Sequence, residues 1–391
     1  MAMQPQSPFA LFAIDHLLSE EERAIRDVVR AYVDERIKPN VADWFEDAKI
    51  PAAELAKELG DLGVLGMHLD GYGCAGTSAV AYGLACLELE AGDSGIRSLV
   101  SVQGSLAMYA IHAFGSEAQR MEWLPRMSAG EAIGCFGLTE ADHGSNPSGM
   151  VTNARRDGDD WILNGSKMWI TNGNVAEVAV VWAQTTEGIR GFVVPTASPG
   201  FTANEIHKKM SLRASVTSEL VFTDLRLPAD AMLPGVKGLR GPLSCLNEAR
   251  FGIIFGTLGA ARDCLETAIS YALDRDQFGK PIAAFQLTQK KFADMGLELG
   301  KGMLLALHLG RLKDENLIAP EQVSLGKLNN ARESLAIARE CRNILGGNGI
   351  TLEYPIIRHM NNLESVYTYE GTNEMHTLVI GEALTGIAAY R

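Results

Sequence analysis

The sequence predicts an α+β protein in three successive parts: a helical domain over residues 1–132, a β-domain over 133–238 and a helical bundle over 239–391. Three observations carry this. Apolar residues recur at i, i+3 and i+4 through most of the first third and again through the last. From Ile133 onward, β-branched and aromatic residues with frequent turns replace that pattern. Pro228 and Pro234 then mark the way out of the β-rich part. At ~100–200 residues per domain, 391 residues make two or three domains. A composition 47% hydrophobic is enough to fill their cores.

Taken in order, Ser19 and Glu22 form a capping box that opens a helix reaching about Ile37, which Pro39 closes. Helical spacing follows over 51–62, 79–91, 98–113 and 116–127, with glycine-rich joints between. In the middle part, residues 161–170 carry an Asn164-Gly165 hairpin signal, and 177–183, 191–194 and 220–222 read as strands. The last part holds long apolar-periodic stretches at 241–274, 283–312, 320–345 and 370–389, lengths suited to an antiparallel bundle. There is no internal repeat and no low-complexity stretch.

The charge of −13 argues against nucleic acid or an anionic membrane surface as partner, since both demand a basic face. No apolar run approaches the ~18 residues of a membrane span, and residues 1–5 lack the basic-then-apolar layout of a signal peptide. A soluble, cytoplasmic protein without membrane insertion is expected. Six cysteines, Cys74, Cys86, Cys135, Cys245, Cys264 and Cys341, are widely spaced, with no C-x-x-C and no histidine at metal-ligand spacing. They read as reduced, mostly buried thiols, and no metal site is expected.

Chemistry concentrates near the C-terminus, in Tyr367-Thr368-Tyr369-Glu370-Gly371-Thr372-Asn373-Glu374-Met375-His376. Glu370 precedes the run Leu378, Val379, Ile380, Ala383, Leu384, Ile387, Ala388, whose spacing reads as a buried helix. An acid in that setting loses solvation, which raises its pKa toward that of a general base. A helix-capping acid with aromatics that merely pack is the other reading of this segment. Gly71-Tyr72-Gly73-Cys74-Ala75-Gly76 matches G-x-G-x-x-G, but helices precede it and no βαβ unit follows, so it reads as a glycine loop. The segment 135–147 leaves a strand and enters a Gly/Ser/Pro loop rich in donors, suited to a flavin edge and a pyrophosphate. Trp169 and Thr171 add an indole and a hydroxyl beside it. The basic stretch 274–281 and the loop 345–350 complete the combination.

These motifs resemble the acyl-CoA dehydrogenases over nearly the whole chain. The matching residues are Leu138-Thr139-Glu140 with Gly144-Ser145, Trp169-Ile170-Thr171, Arg275-x-Gln277-Phe278-Gly279, Gly346-Gly347-Asn348-Gly349 and Tyr369-Glu370-Gly371-Thr372. The resemblance implies a helical N-terminal domain, a β-barrel or sandwich in the middle, a C-terminal four-helix bundle, bound FAD and a homotetramer. It implies that Phe136, Leu138, Thr139, Gly144, Trp169, Ile170 and Thr171 line the flavin, with Ser145 beside pyrophosphate and substrate. It further implies that Thr372 and Glu374 close the cofactor site, and that Arg275, with Gln277 and Phe278 beside it, and Gln286, Asn343, Gly346 and Gly347 reach a neighbouring subunit's FAD. Asn343 stands where many relatives carry glutamine.

The same resemblance implies an acyl-CoA substrate, electron-transfer flavoprotein as electron acceptor, and Glu370 as the base. In a minority of relatives the base comes from the helix of Asn247-Glu248-Ala249-Arg250, but the matching position here is Ala249. Arg250 and Asn247 then read as CoA or acyl contacts, with a solvated helix-face arginine as the other reading. Residues 87–103 resemble the glutaryl-CoA dehydrogenase branch. A buried arginine is costly in a pocket for a hydrocarbon tail, whereas a dicarboxylic acyl group brings a carboxylate to pair with it. Arg97 and Ser101 are implied to clamp that carboxylate, Ser98 and Tyr369 to adjoin them, and Glu90 to orient Arg97. The alternative is a surface pair worth little. Ile96 and Gly173 stand where that branch often has an aromatic residue and a serine. Oxidative decarboxylation of glutaryl-CoA to crotonyl-CoA and CO2 is the implied reaction. Short-chain acyl-CoA dehydrogenase or oxidase activity, non-decarboxylating glutaryl-CoA dehydrogenase activity, and a non-enzymatic flavin-fold binding protein are the alternatives.

Overall fold

Ser19 caps its helix as expected: its hydroxyl accepts Glu22 N at 3.2 Å, and Glu22 Oε2 accepts Ser19 N at 2.8 Å. The computed structural model describes residues 6–389, so residues 1–5, read above for a signal peptide, lie outside the described residues. Helix Glu20–Tyr32 runs into a π-helical turn, Val33–Ile37. Further helices cover Ala52–Asp61, Ala79–Gly92 and Glu117–Ser128. The helix expected over 98–113 is three segments, Ser94–Ser101, a π-helical stretch Val102–Met108 and Tyr109–Phe114. The G-x-G-x-x-G stretch is a two-residue ribbon, Asp70–Gly71 against Cys74–Ala75, as the glycine-loop reading required.

The middle part is one seven-stranded sheet. Its strands are β1 (Gly134–Gly137), β2 (Asn153–Asp157), β3 (Asp160–Thr171), β4 (Val178–Thr185), β5 (Gly188–Pro195), β6 (Phe201–Glu205) and β7 (Thr217–Leu227). They lie in the order β1-β4-β2-β3-β7-β6, with β5 also paired to β4. β1 and β4 run parallel, and β3 pairs antiparallel with β2 and β7. Val178, Val180 and Trp182 pack on the N-terminal helices, while Ala179, Val181 and Ala183 face a second core enclosed by the sheet. A strand covered on both faces is apolar without alternation.

The Asn164-Gly165 hairpin is not formed. Both residues lie inside β3, at a register shift against β7. Asn164 Oδ1 accepts Asp224 N at 2.8 Å and its Nδ2 donates to Asp224 Oδ1 at 3.1 Å, so the amide bridges two strands where a turn was expected. The hairpin falls at Gly158-Asp159, between the paired Asp157 and Asp160. Strands β2 and β6 escaped the sequence because they are mostly exposed and offer little apolar pattern.

The C-terminal part is built on helices Arg240–Asp274, Gln286–Asp314, Pro320–Ile344 and Asn373–Thr385, with Ile356–Thr368 between the last two. The first of these shares one core with Ala79–Gly92, through Phe251, Ile254, Phe255 and Leu258 against Val80, Leu84 and Leu87. The last helix departs from expectation in two ways. It starts at Asn373, capped by the Thr372 hydroxyl, which accepts Met375 N at 3.3 Å. It is also not buried: only Asn373 and His376 are, while Leu384 is 82% and Ile387 73% exposed. The helix lies toward the outside of the single chain: Leu378, Val379 and Ile380 are half-buried, while Leu384 at its end and Ile387 just beyond it are uncovered. All six cysteines are free thiols, five of them buried. Among the described residues no helix is long and apolar enough to cross a membrane.

Candidate active site

Helices Ala79–Gly92 and Arg240–Asp274 meet where Gly256 faces Glu90. A Cβ on Gly256 would stand 2.1 Å from Glu90 Oε2, so only glycine leaves room for that carboxylate. Glu90 is fully buried, accepting Ser94 Oγ at 2.9 Å on Oε1 and Arg97 Nε at 2.7 Å on Oε2. Arg97, only 1% exposed, donates through Nη2 to the Tyr369 hydroxyl, and its guanidinium carbon lies 5.8 Å from the centre of that ring. Burial works against its charge, but Glu90 and Tyr369 outweigh burial and hold its pKa well above the ordinary value. Ser98 Oγ is 3.4 Å from the Tyr369 hydroxyl. The surface-pair alternative for Arg97 therefore fails. Ser101 is buried nearby in sequence, yet its Oγ makes no hydrogen bond among the described residues and is not joined to Arg97.

Tyr369 leads directly into Glu370, whose φ of 54° is left-handed, followed by Gly371 at 98°. A Cβ on Gly371 would also sit 2.8 Å from His376 Nε2, so glycine is required twice over. Solvent reaches part of the Glu370 residue, but its Oε2 is sealed and has no hydrogen-bond partner. Burial pushes the carboxyl pKa up to about 7, with Arg97, Arg250 and Lys327 pulling it back. Capping of the following helix belongs to Thr372, which disposes of the capping reading for Glu370. Arg250 is not a solvated helix-face residue. Its Nε donates to Glu370 O at 2.6 Å and its Nη1 to Asn247 Oδ1 at 3.0 Å. Asn247 lines a cavity of ≈150 Å³ with Tyr109, Ser244, Glu248 and Lys313.

On the sheet side, Phe136 packs on Trp182 at 5.9 Å between ring centres, and Phe136, Leu138 and Ile170 are buried, so their side chains belong to the core. Trp169 differs. A register shift between Lys167 and Ile170 gives it φ 64° and leaves its indole 59% exposed, the re-aiming that a bulge produces. Thr139 and Thr171 are half-buried, while Gly144 and Ser145 lie in an open loop. Glu374 is exposed on the first turn of the last helix. Arg275, Gln277, Phe278, Gln286, Asn343, Gly346 and Gly347 are exposed as well, Phe278 at 94%. None of them makes a hydrogen bond or ion pair with the Glu370 cluster. Arg275 lines a separate cleft of ≈470 Å³ with Tyr271, Asp274, Asn348 and Tyr354.

Three further residues escaped the sequence. Lys327 is fully buried behind the Glu370 turn, donating to Gly371 O at 2.9 Å and Tyr367 O at 3.2 Å. His376 packs on Gly371, and burial lowers its pKa to about 3, so the ring is neutral. Lys167, also fully buried, donates to Leu138 O at 3.0 Å and Glu140 Oε1 at 2.8 Å. Glu140 in turn accepts Val151 N at 2.7 Å and Thr152 N at 2.9 Å, so the pair closes both ends of the loop 138–152. A signal was present for the lysines. Lys327 falls on the helical stripe of Val323, Asn330, Ala331 and Ser334, and Lys167 has the strand parity of Trp161 and Leu163.

Models described as acyl-CoA dehydrogenase N-terminal, middle and C-terminal domains match residues 19–131, 135–225 and 236–385. The chain is similar to a glutaryl-CoA dehydrogenase from Mycobacterium smegmatis solved in complex with FADH2. They are 69% identical with a TM-score of 0.98, covering 99% of this chain and 100% of that one. A second similar structure is a glutaryl-coenzyme A dehydrogenase in its glutaryl-CoA complex, 32% identical with a TM-score of 0.90, covering 96% and 98%. The short-chain specific acyl-CoA dehydrogenase, mitochondrial, of Bos taurus is 35% identical over 382 residues, 96% of this chain and 92% of that protein.

Proposed function

This chain belongs to the acyl-CoA dehydrogenase family, and from that premise we propose that it oxidises glutaryl-CoA with bound FAD and decarboxylates it to crotonyl-CoA and CO2. The observation that carries the choice of substrate is the fully buried pair Glu90–Arg97, which Tyr369 joins to Glu370, an acid whose Oε2 is buried without a partner. Arg97 Nη1 makes no hydrogen bond among the described residues, so the guanidinium keeps donors for a second carboxylate. A hydrocarbon tail would leave them idle in an apolar pocket, at a cost that a dicarboxylic chain removes.

The residues present fit FAD. Trp169 offers an exposed indole, and a Cβ on Gly144, Gly346 or Gly347 would meet nothing within 4 Å, which leaves backbone open to a ligand. Glu370 Oε2 and His376 Nε2 are buried atoms still lacking a partner. The bound flavin supplies the acceptor for the substrate's β-hydrogen.

Glu370, with a pKa of about 7, is half ionised at neutral pH and takes an α-proton of the thioester. Arg250 holds the Glu370 carbonyl and so fixes the peptide that carries the base. With the α,β bond oxidised, the γ-carboxylate is vinylogous to the thioester. Its C–C bond breaks to release CO2, the electron pair delocalises onto the thioester oxygen, and return of the proton from Glu370 to the γ-carbon gives crotonyl-CoA.

Electron-transfer flavoprotein as acceptor, a cytoplasmic location and a homotetramer belong to the same reading. The tetramer is supported by Phe278, Leu287, Leu384 and Ile387, each at least 73% exposed in one chain. The test is product analysis after anaerobic mixing with glutaryl-CoA. Crotonyl-CoA with equimolar CO2 is expected, whereas glutaconyl-CoA without CO2 rejects the decarboxylation.

A further inference from the structure

Lys327 sits in the middle of helix Pro320–Ile344 with its side chain fully buried, and it makes no ion pair among the described residues. A buried ammonium is costly unless its protons are engaged. Two are, by Tyr367 O and Gly371 O, the carbonyls on either side of Glu370 in sequence. Tyr367 O lies in the last turn of helix Ile356–Thr368, where carbonyls lose their intrahelical partners. Gly371 O lies in the left-handed turn. One side chain thus ties the end of one helix to the approach of the next, with Glu370 in the span between.

We propose that Lys327 is a positioning residue for the reaction: by holding the Tyr367 and Gly371 carbonyls together, it fixes the turn that aims the Glu370 carboxylate at the substrate's α-carbon. The inference rests on Glu370 being the base. The charged and titratable groups that face Lys327 are Glu370 on the turn before the last helix, Glu374 and His376 on that helix, Arg250 from the long helix and Arg97 from Ser94–Ser101. Burial lowers the Lys327 pKa to about 7, partly restored by Glu370. Lys327 in turn pulls the Glu370 pKa down. Removing it therefore moves the acid limb of kcat to higher pH, an effect that a purely structural anchor does not have.

The experiment compares wild type, Lys327→Met, Lys327→Arg and Glu370→Gln as FAD-loaded enzymes, reading kcat and KM for glutaryl-CoA against pH, with flavin content and thermal unfolding alongside. Lys327→Met should lose about 10- to 10²-fold in kcat, the size expected from a small misplacement of a catalytic group. KM should change little and the acid limb should rise. Lys327→Arg should recover part of the rate and return the limb toward wild type. Should Lys327→Met fail to fold, Lys327→Gln is read in its place: a lowered kcat with the limb at higher pH supports the proposal. Wild-type kcat and limb in the folded variant overturn it, as does a loss matched by lost flavin with an unmoved limb. Retained turnover in Glu370→Gln would instead refute the base assignment, while an inactive Glu370→Gln beside an unaltered Lys327→Met refutes only the role of Lys327.

Discussion

Arg97 donates from Nη2 to the hydroxyl of Tyr369, the residue immediately before Glu370. The residue proposed to hold the far end of the acyl chain is therefore joined, through one phenol, to the peptide that carries the base. Burial pushes the Tyr369 pKa up to about 12, so the phenol keeps its proton at neutral pH and can donate in its turn. The proposed clamp and the proposed base form one connected unit, and changes at either end should be felt at the other.

FAD binding and reduction come first. The purified protein should be yellow and should bleach when mixed anaerobically with glutaryl-CoA, with slow recovery in air. Absorbance and peroxide assays check this, and rapid peroxide formation would favour an oxidase.

Glu370→Gln should keep FAD and acyl-CoA binding while losing at least ~10²–10⁴-fold in turnover, since the amide keeps the shape and not the basicity. Stopped-flow flavin reduction is the measurement. Near-wild-type reduction would move the base elsewhere, with Glu248 the next acid to test.

Glu370 also makes two pH predictions. Its folded pKa of about 7 lies above its unfolded value. As the base must be ionised, kcat should rise with pH through about 7 and level off above. Stability runs the other way: the native state favours the neutral acid, so its contribution is complete below the unfolded pKa and lost as pH rises through 7. Glu370→Gln should thus be more stable than wild type at pH 8, by at most about 3 kcal/mol, with the gap closing near pH 4.5. Denaturant titrations at the two pH values test it, and an unchanged difference would contradict the buried-acid account.

Much of this site was legible in the sequence. Glu370 is legible because an acid beside aromatics and ahead of an apolar run contradicts its surroundings, whereas Arg97, Ser98, Ser101 and Tyr369 follow from the family resemblance, and of these Ser101 is not joined to Arg97. Asn164-Gly165 misled because a turn dipeptide also suits a bulge, and only the pairing of β3 with β7 decides between them. The exposure of Leu384 and Ile387 was misread because periodicity gives an apolar face but not whether the same chain covers it. Lys327 and Lys167 are not legible as site residues, because their partners are backbone carbonyls and one acid that no sequence spacing brings near.

Lys167 and Glu140 supply a further prediction. Lys167 is pushed down to about 8 by burial, while Glu140 is held at about 2 because its hydrogen bonds to Lys167, Val151 and Thr152 outweigh burial. The Glu140 contribution is present above its unfolded pKa and lost as pH falls toward 2. Glu140→Gln leaves a buried ammonium without its carboxylate and should cost about 3–5 kcal/mol. Because the pair closes the loop 138–152, FAD should also dissociate more readily. Urea unfolding with flavin fluorescence reads both, and a stable variant with wild-type FAD retention would show that the pair does not hold the loop.

The most direct test of the central claim compares glutaryl-CoA with butyryl-CoA, by turnover and product analysis, in wild type and Arg97→Met. Removing one partner of a buried charge pair costs about 3–5 kcal/mol, so Arg97→Met should lose roughly 10²–10⁴-fold on glutaryl-CoA. Butyryl-CoA has no distal carboxylate, and its oxidation should fall far less or rise, so that the preference for glutaryl-CoA narrows or reverses. Equal losses on both substrates would contradict the account, placing Arg97 in support of the fold or the flavin and not in the selection of a dicarboxylic chain.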